Sequence, residues 1–351
     1  MRSATVSGRW RAIGLALALL ALASCGGGGS SAPPGSKLFI VDAGNHAILS
    51  FIDPLNPAGI DRVVTGSSTG LGSGVGSVFS IPSIALDATG DRLYAATQGN
   101  TFIFDNAGAA DGNVPYSRLM SATVNTGGVN HAVNFFRIDL DKTNNILYTV
   151  DPLGEVHVFN NASTGSGATP NRTIVPDVGM ATVSSTFGIA IDAGKKMLYV
   201  GVAVSGPAYS IIVFNNADTA NATTPPLPPN RTLNFAQTVG SFFLDTAQDR
   251  LYVAQSNGVV LVFDSASTLA TGTTPTPNRT ITLLDLTQHF IFVDVIRDKL
   301  YAVANPRNGN STFLIVDNAS TSNDAGPVFP DGPVFSVTGP NIQLSAVAVK
   351  P

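Results

Sequence analysis

The sequence predicts an all-β fold, a six-bladed β-propeller with four-stranded blades, and two internal repeats carry this prediction. In the first repeat an apolar run ends in an Asp that stands seven residues before a Tyr, and the tyrosines follow one another at intervals of 49 to 54 residues. The five copies are Asp87/Tyr94, Asp141/Tyr148, Asp192/Tyr199, Asp245/Tyr252 and Asp294/Tyr301. The second repeat is a further apolar run that ends in a polar signature, such as FDNA at 104–107 or FNNA at 159–162. A unit of about fifty residues with four short strands is typical of a propeller blade.

Each unit contains four short runs of β-branched, aromatic or aliphatic residues bounded by turn residues. The Asp of each unit is predicted to end the innermost strand and to cap the turn that follows. Large apolar residues stand one and three positions before every such Asp, so we expect them to pack between blades. Residues two and four positions before the Asp are expected to face the central channel, and the tyrosines to lie in the core between blades.

The two ends of the repeat region are predicted to form one blade together. KLFIVD at 37–42 has Phe39 at the tyrosine position, yet no Asp-containing strand precedes it. LSAVAVK at 344–350 is a strand without a unit of its own. We therefore expect this C-terminal strand to complete the first blade, which would remove the open edges of the ring.

The first unit also carries a family resemblance. VDAGNHAILSF at 41–51 resembles the NHL repeat, and departs from it at Ala47, where that family usually has Arg or Lys. The FDNA and PNRT repeats resemble those of uncharacterised bacterial lipoproteins with NHL-like propellers. The resemblance implies a propeller over 37–351, and relatives of that architecture include protein-interaction modules, sugar-binding propellers and metal-dependent lactonases and lyases.

The first residues of the chain predict the cellular location of the protein. A basic segment and the apolar run 12–23 are typical of a signal peptide over 1–24, since the run is too short to cross a bilayer as a helix. LASC at 22–25 resembles the bacterial lipobox, which implies a lipidated Cys25, with 25–36 as a Gly/Ser/Pro tether. The alternative is an ordinary secretory signal with a chance cysteine. We expect a monomer anchored to a membrane of the bacterial cell envelope, facing the periplasm or the exterior.

Composition excludes several classes of partner and site. Acidic residues outnumber basic ones by 23 to 19, so the chain lacks the basic footprint that nucleic acid requires. Cys25 is the single cysteine, which excludes a disulfide framework and a cysteine-based metal site.

Histidines and two channel residues are the candidate functional side chains. His46, His131 and His289 are predicted to share the rim that carries the loops before the inner strands. Three imidazoles can hold zinc, with Asp42, Asp151 or Glu155 as supporting partners, but scattered loop histidines are the simpler interpretation. Arg137 and Asp139 are charged at positions that face the channel. They form either an ion pair in a wet channel or a site that orients a ligand.

The sequence therefore predicts a non-enzymatic binding module for a protein, peptide or glycan, with no cofactor. A metal-dependent propeller lactonase or lyase that uses a divalent metal is the alternative, and a structural spacer is a third possibility. Glu155 is the only glutamate, which argues against an enzyme with carboxylates converging at the channel mouth.

Overall fold

The computed structural model describes residues 35–57, 59–72, 81–126, 129–165, 169–179, 182–205, 208–272, 275–283, 289–304, 311–323, 334–337 and 342–351. These residues form six blades in a propeller ring, which confirms the predicted all-β fold. No helix within the described ranges is long and apolar enough to span a membrane. The predicted signal peptide and Cys25 lie outside the described residues.

The strands of each blade run from the channel outward in chain order, except in blade one. Blade one contains β1 (Lys37–Asp42), β2 (Ala47–Phe51) and β3 (Arg62–Val64), and its innermost strand is β27 (Leu344–Lys350). Blade two contains β4 (Ser83–Asp87), β5 (Arg92–Thr97), β6 (Asn100–Asp105) and β7 (Arg118–Met120). Blade three contains β10 (Arg137–Asp141), β11 (Ile146–Val150), β12 (Val156–Asn160) and β13 (Arg172–Pro176).

The second half of the ring follows the same plan. Blade four contains β14 (Val183–Asp192), β15 (Met197–Val204), β16 (Ala208–Phe214) and β18 (Arg231–Phe235). Blade five contains β19 (Val239–Asp245), β20 (Arg250–Gln255), β21 (Val259–Asp264) and β22 (Arg279–Thr282). Blade six contains β23 (His289–Asp294), β24 (Lys299–Ala304), β25 (Ser311–Asp317) and β26 (Val334–Val337).

Two elements were not predicted from the repeats. A hairpin of β8 (Thr123–Thr126) and β9 (Val129–Ala132) stands in the connection from blade two to blade three. β17 (Ala222–Leu227), from the connection between β16 and β18, pairs in parallel with β13 and gives blade three a fifth strand. The prolines of β17 are tolerated because it lies at the edge of the sheet.

The ring closes as the sequence predicts. β27 pairs antiparallel with β1, from Lys37 opposite Lys350 to Asp42 opposite Leu344. The inner strand β27 also contacts the inner strands β4 and β23 of the two neighbouring blades. Blade one therefore obtains its innermost strand from the far end of the described chain.

The apolar core lies between the blades. It divides into six clusters, each built from two adjacent blades, and each contains Phe39 or one of the five repeat tyrosines. The five tyrosine side chains are at most 1% exposed. The hydroxyl of Tyr301 donates to the carbonyl of Pro54 in blade one at 3.1 Å, so here a tyrosine also ties two blades together.

The repeated aspartates have the structural role predicted for them. In each copy Oδ1 accepts a hydrogen bond from the backbone N–H three residues later, as in Asp87 to Gly90 at 2.9 Å and Asp192 to Lys195 at 2.9 Å. Asp141, Asp245 and Asp294 do the same. These caps define one face of the ring, which we call the turn face. The opposite face, which carries the loops between second and third strands and the connections into the inner strands, is called the loop face.

Candidate functional site

A central channel of about 650 Å³ runs between the six inner strands, and all six contribute to its lining. Arg137 and Asp139 line it, as do Phe243, Phe290 and Phe292. These five residues stand two or four positions before a capping Asp, as predicted for channel residues, although residues one and three positions before it, such as Ile138 and Leu140, also border the channel. Phe243 and Phe292 pack edge to face with their ring centroids 5.1 Å apart. Blades five and six thus give the channel an aromatic side.

The side chain of Arg137 crosses the channel. Its guanidinium carbon lies 4.7 Å from the ring centroid of Phe136 and 4.9 Å from that of Phe290, which belongs to the opposite blade of the ring. Nη1 donates to the carbonyl of Pro82 in blade two. Nε is buried and has no hydrogen-bond partner within the described part of the chain. Burial lowers the pKa of Arg137 to about 10, so the side chain remains a cation at neutral pH.

Asp139 is directed away from Arg137. Its Oδ2 accepts a hydrogen bond from the backbone N–H of Ile191 in blade four at 2.8 Å, and Oδ1 accepts one from Leu140 at 2.8 Å. Burial raises the pKa of this carboxyl group. The expectation of an Arg137–Asp139 ion pair is therefore wrong, because Asp139 binds the next blade and Arg137 the previous one. Similarly, the hydroxyl oxygen of Ser241 in blade five accepts a hydrogen bond from the backbone N–H of Ile291 in blade six at 3.1 Å.

A second polar site lies on the loop face of blade three. Asp151, Glu155 and His157 each offer one ligand atom, and these three atoms all lie within 4.8 Å of one another. Asp151 follows β11, Glu155 precedes β12, and His157 is the second residue of β12. None of the three is among the residues that line the channel.

The loop between β11 and β12 fixes two of these side chains. The backbone N–H of Asp151 donates to the carbonyl of Glu155 at 3.0 Å, and Gly154 has a φ of 91° at the turn. Oδ1 of Asp151 accepts hydrogen bonds from the backbone N–H groups of Leu153 and Glu155, both at 2.9 Å. These hydrogen bonds fix the orientation of the Asp151 carboxyl group relative to the loop.

Burial changes the protonation of all three groups. It raises the pKa of Asp151 to about 6 and also raises that of Glu155. Burial, with a smaller contribution from the charge of nearby His131, lowers the pKa of His157 to about 4. At neutral pH His157 is consequently a neutral imidazole beside the carboxyl groups of Asp151 and Glu155.

His157 stands at a position that is apolar in the other blades. The strand registers align it with Leu49, Phe102, Ile212, Leu261 and Leu314. Its side chain is fully buried, between Thr149 on one neighbouring strand and Thr173 on the other. Blade three alone thus carries an ionisable residue in the middle of this row.

The structure brings some of the predicted rim residues together. His131 in β9 interacts electrostatically with both Glu155 and His157, which supports the expected proximity of His131 to Glu155. His46 lies in the loop between β1 and β2 and is not part of the group of three. The side chain of His289 lies outside the described residues, so the three-histidine grouping stays a prediction.

Sequence reasoning missed His157, although a signal was present. When the third strands are aligned on their polar signatures, VHVFNN places a histidine where FIFDN, IIVFNN and VLVFDS have an apolar residue. A polar residue at an apolar repeat position marks a blade that departs from its siblings.

The fold defines a class of protein, the six-bladed propellers. No protein-family model matches the chain, and no curated protein matches it either. The NHL resemblance at 41–51 therefore rests on its residues alone. The fold itself is compatible with a binding or interaction module.

Proposed function

We propose that this protein is a lipid-anchored binding module of the cell envelope, and that its channel receives an anionic segment of a protein, peptide or glycan. The guanidinium of Arg137 carries the proposal. It lies in the channel against Phe136 and Phe290, and no carboxylate among the described residues forms an ion pair with it. An arginine so placed offers N–H groups in a planar fork to a carboxylate.

The rest of the channel fits a ligand with an apolar body. Phe243, Phe290 and Phe292 supply flat surfaces on which a sugar ring or an aromatic or aliphatic side chain can pack. A volume of about 650 Å³ lies within the range of about 300–1,000 Å³ that small-ligand sites occupy. We therefore expect the channel to take a few residues of peptide or two or three sugar units, not a folded domain.

The anchor and the cellular address rest on the sequence. The lipobox-like LASC at 22–25 and the absence of any other cysteine support lipidation of Cys25. A flexible tether over 25–36 would let the ring stand away from the membrane. Membrane fractionation of cells that express the wild type or Cys25→Ser tests the anchor.

The metal-dependent lactonase or lyase alternative receives less support. Such an enzyme needs its metal ligands at the place where the substrate binds. Asp151, Glu155 and His157 lie off the channel, whereas Arg137 and the aromatic residues line it. The two features that could bind and activate a substrate are thus in different places.

The test is a binding screen with matched charged and neutral ligands. Labelled protein is applied to arrays of short peptides with free or amidated C-termini and to acidic or neutral oligosaccharides. We expect binders to carry a carboxylate, and Arg137→Gln to weaken their binding by about 10- to 100-fold, because a charge-assisted hydrogen bond is lost.

The control is Arg62→Gln, which removes the same charge from the outer strand β3. Melting curves of both variants show whether they remain folded. If the wild type and a folded Arg137→Gln variant bind every ligand with equal affinity, the ligands do not bind at Arg137 in the channel.

A further inference from the structure

We propose that Asp151, Glu155 and His157, with His131 of the β8–β9 hairpin as the fourth ligand, form a site for a zinc-type divalent cation that fastens this hairpin to blade three. The proposal goes beyond ligand binding in the channel and does not depend on it.

Two buried acceptor atoms that face each other carry the argument. Nε2 of His157 and Oε2 of Glu155 are 3.9 Å apart. Both atoms are buried, and neither has a hydrogen-bond partner within the described residues. The separation is too long for a hydrogen bond whichever tautomer the ring adopts. A buried polar atom without a partner costs about 1–3 kcal/mol in free energy, and a cation placed between the two atoms would satisfy both.

The other ring nitrogen of His157 has the partner that a metal ligand needs. Nδ1 lies 3.3 Å from the hydroxyl oxygen of Thr173 on the adjacent strand. A histidine that binds a metal through Nε2 usually donates its other N–H to an oxygen atom, which fixes the ring. Thr173 holds His157 so that Nε2 points towards Glu155.

The spacing of the ligand atoms requires only a small contraction. Zinc binds nitrogen and carboxylate oxygen at about 2.0–2.2 Å, so two ligands of a tetrahedral ion are about 3.3 Å apart. The three ligand atoms already lie within 4.8 Å of one another. Rotation of the Glu155 side chain would bring its carboxylate to the shorter distance. The backbone of Glu155 stays in place meanwhile, because its N–H donates to Oδ1 of Asp151.

The mixed donor set selects the type of ion. Calcium and magnesium prefer sets made of oxygen atoms, whereas zinc accepts imidazole nitrogen together with carboxylate oxygen. The two carboxylates compensate the charge of a divalent cation. The site is also largely closed to solvent, since the side chain of His157 is fully buried and that of Glu155 is 15% exposed.

His131 lies near this group, although its ring nitrogens are not among the ligand atoms that lie within 4.8 Å of one another, so it would have to move towards them to bind the ion. It is in β9, opposite Val124 of β8, and its charge acts on both Glu155 and His157. A fourth ligand from the hairpin completes the closed tetrahedral set that is typical of a structural zinc site. The ion would then link the connection between blades two and three to the interior of blade three.

The test uses the full chain, stripped with a chelator and titrated with zinc chloride. Calorimetry should show one equivalent bound, and saturating zinc should raise the melting temperature by about 5 °C. Glu155→Gln, which keeps the size of the side chain, should weaken zinc binding at least about 100-fold. Cobalt in place of zinc should give the strong visible absorption of a four-coordinate ion.

The controls separate a site from general metal binding. Asp53→Asn removes a loop carboxylate that makes a similar bond to the N–H of Leu55, and it should bind zinc like the wild type. Cys25→Ser excludes the thiol as a ligand. His131→Gln should weaken binding at least about 10-fold, and hydrogen exchange of the hairpin over 123–132 should slow with zinc in the wild type only.

Three results would overturn the proposal. Absence of saturable zinc binding, or equal binding by a folded Glu155→Gln variant, would remove the site. Unchanged affinity in His131→Gln would remove the link to the hairpin.

Discussion

Blades three and four share four strands in the same order and the same arginine contact with the next blade, although β17 adds a fifth strand to blade three, and their interiors differ. At the edge, Arg172 of blade three donates to the carbonyl of Ala217 in blade four, and Arg231 of blade four donates to that of Ala266 in blade five. In the interior, the row Val200–Ile212–Thr232 of blade four corresponds to Thr149–His157–Thr173 of blade three.

The difference shows where the repeat is constrained and where it is free to change. The buried tyrosines between blades and the aspartates that cap the turns within each blade are the same in both. Both rows end in a threonine, but blade three has Thr149 and His157 where blade four has Val200 and Ile212, and the adjacent loop of blade three adds two carboxyl groups. Blade three thus carries a polar cluster in its interior while it keeps the tyrosine and the capping aspartate of the repeat.

The largest effect is expected where the shared ring itself is broken. Deletion of 344–350 removes the inner strand of blade one, including Leu344 and Val347, which are buried. We expect the truncated chain to aggregate or to lose cooperative unfolding, because two strand edges become exposed. Thermal unfolding and light scattering measure this outcome.

A rearranged chain provides the control. Lys37 lies opposite Lys350, so 342–350 can be moved in front of 37 through a four-residue turn like those of the other blades. This permuted protein should melt near the wild-type temperature. If the truncated chain also melts near the wild-type temperature, the blades are stable without a closed ring. The contacts shared by all blades would then not be what stabilises the ring.

An intermediate effect on stability is expected when the corresponding residues of blades three and four are exchanged. Ile212→His places an imidazole at a position that is 2% exposed in an apolar blade, and should lower the free energy of unfolding by about 2–4 kcal/mol. His157→Ile in the metal-free protein should change it by less than about 1 kcal/mol, because the imidazole already has an unsatisfied nitrogen. Urea unfolding with a chelator present compares the two. Equal costs would show that the interior of blade three is not built for a polar residue.

The smallest effect is expected at the blade edges. Blade five has Asp264 where blades three and four have Asn160 and Asn215, and hydrogen bonds from Arg279 and Arg250 lower the pKa of Asp264 to about 2. Its stabilising effect is present above about pH 4, where the unfolded group is ionised, and is lost as the pH falls towards 2. Asp264→Asn should therefore lower the melting temperature by at most about 2 °C at pH 7, since surface ion pairs contribute little. A difference that persists unchanged at pH 2 would contradict this assignment.

The repeats made the ring predictable, because a spacing that recurs five times specifies a unit, and the unmatched strands at 37–42 and 344–350 specify the closure. Alternation along the inner strands also placed Arg137 and Phe292 in the channel. The partners of Arg137 and Asp139 were not predictable, since they are backbone groups of neighbouring blades whose positions depend on packing. The approach of Glu155 to His157 depends on the turn at Gly154, which the sequence pattern does not specify.

The pairing of β1 with β27 also has a consequence for the order of events during synthesis. Strand β1 must wait for its inner neighbour until residue 350 has been made, about 15–60 s later at ordinary rates of translation. Throughout that time the first blade keeps an open edge, while blades two to five can complete their own sheets. A chaperone that binds extended strands would therefore find its main target in the first fifty residues of the ring, and release from it would coincide with arrival of the final strand.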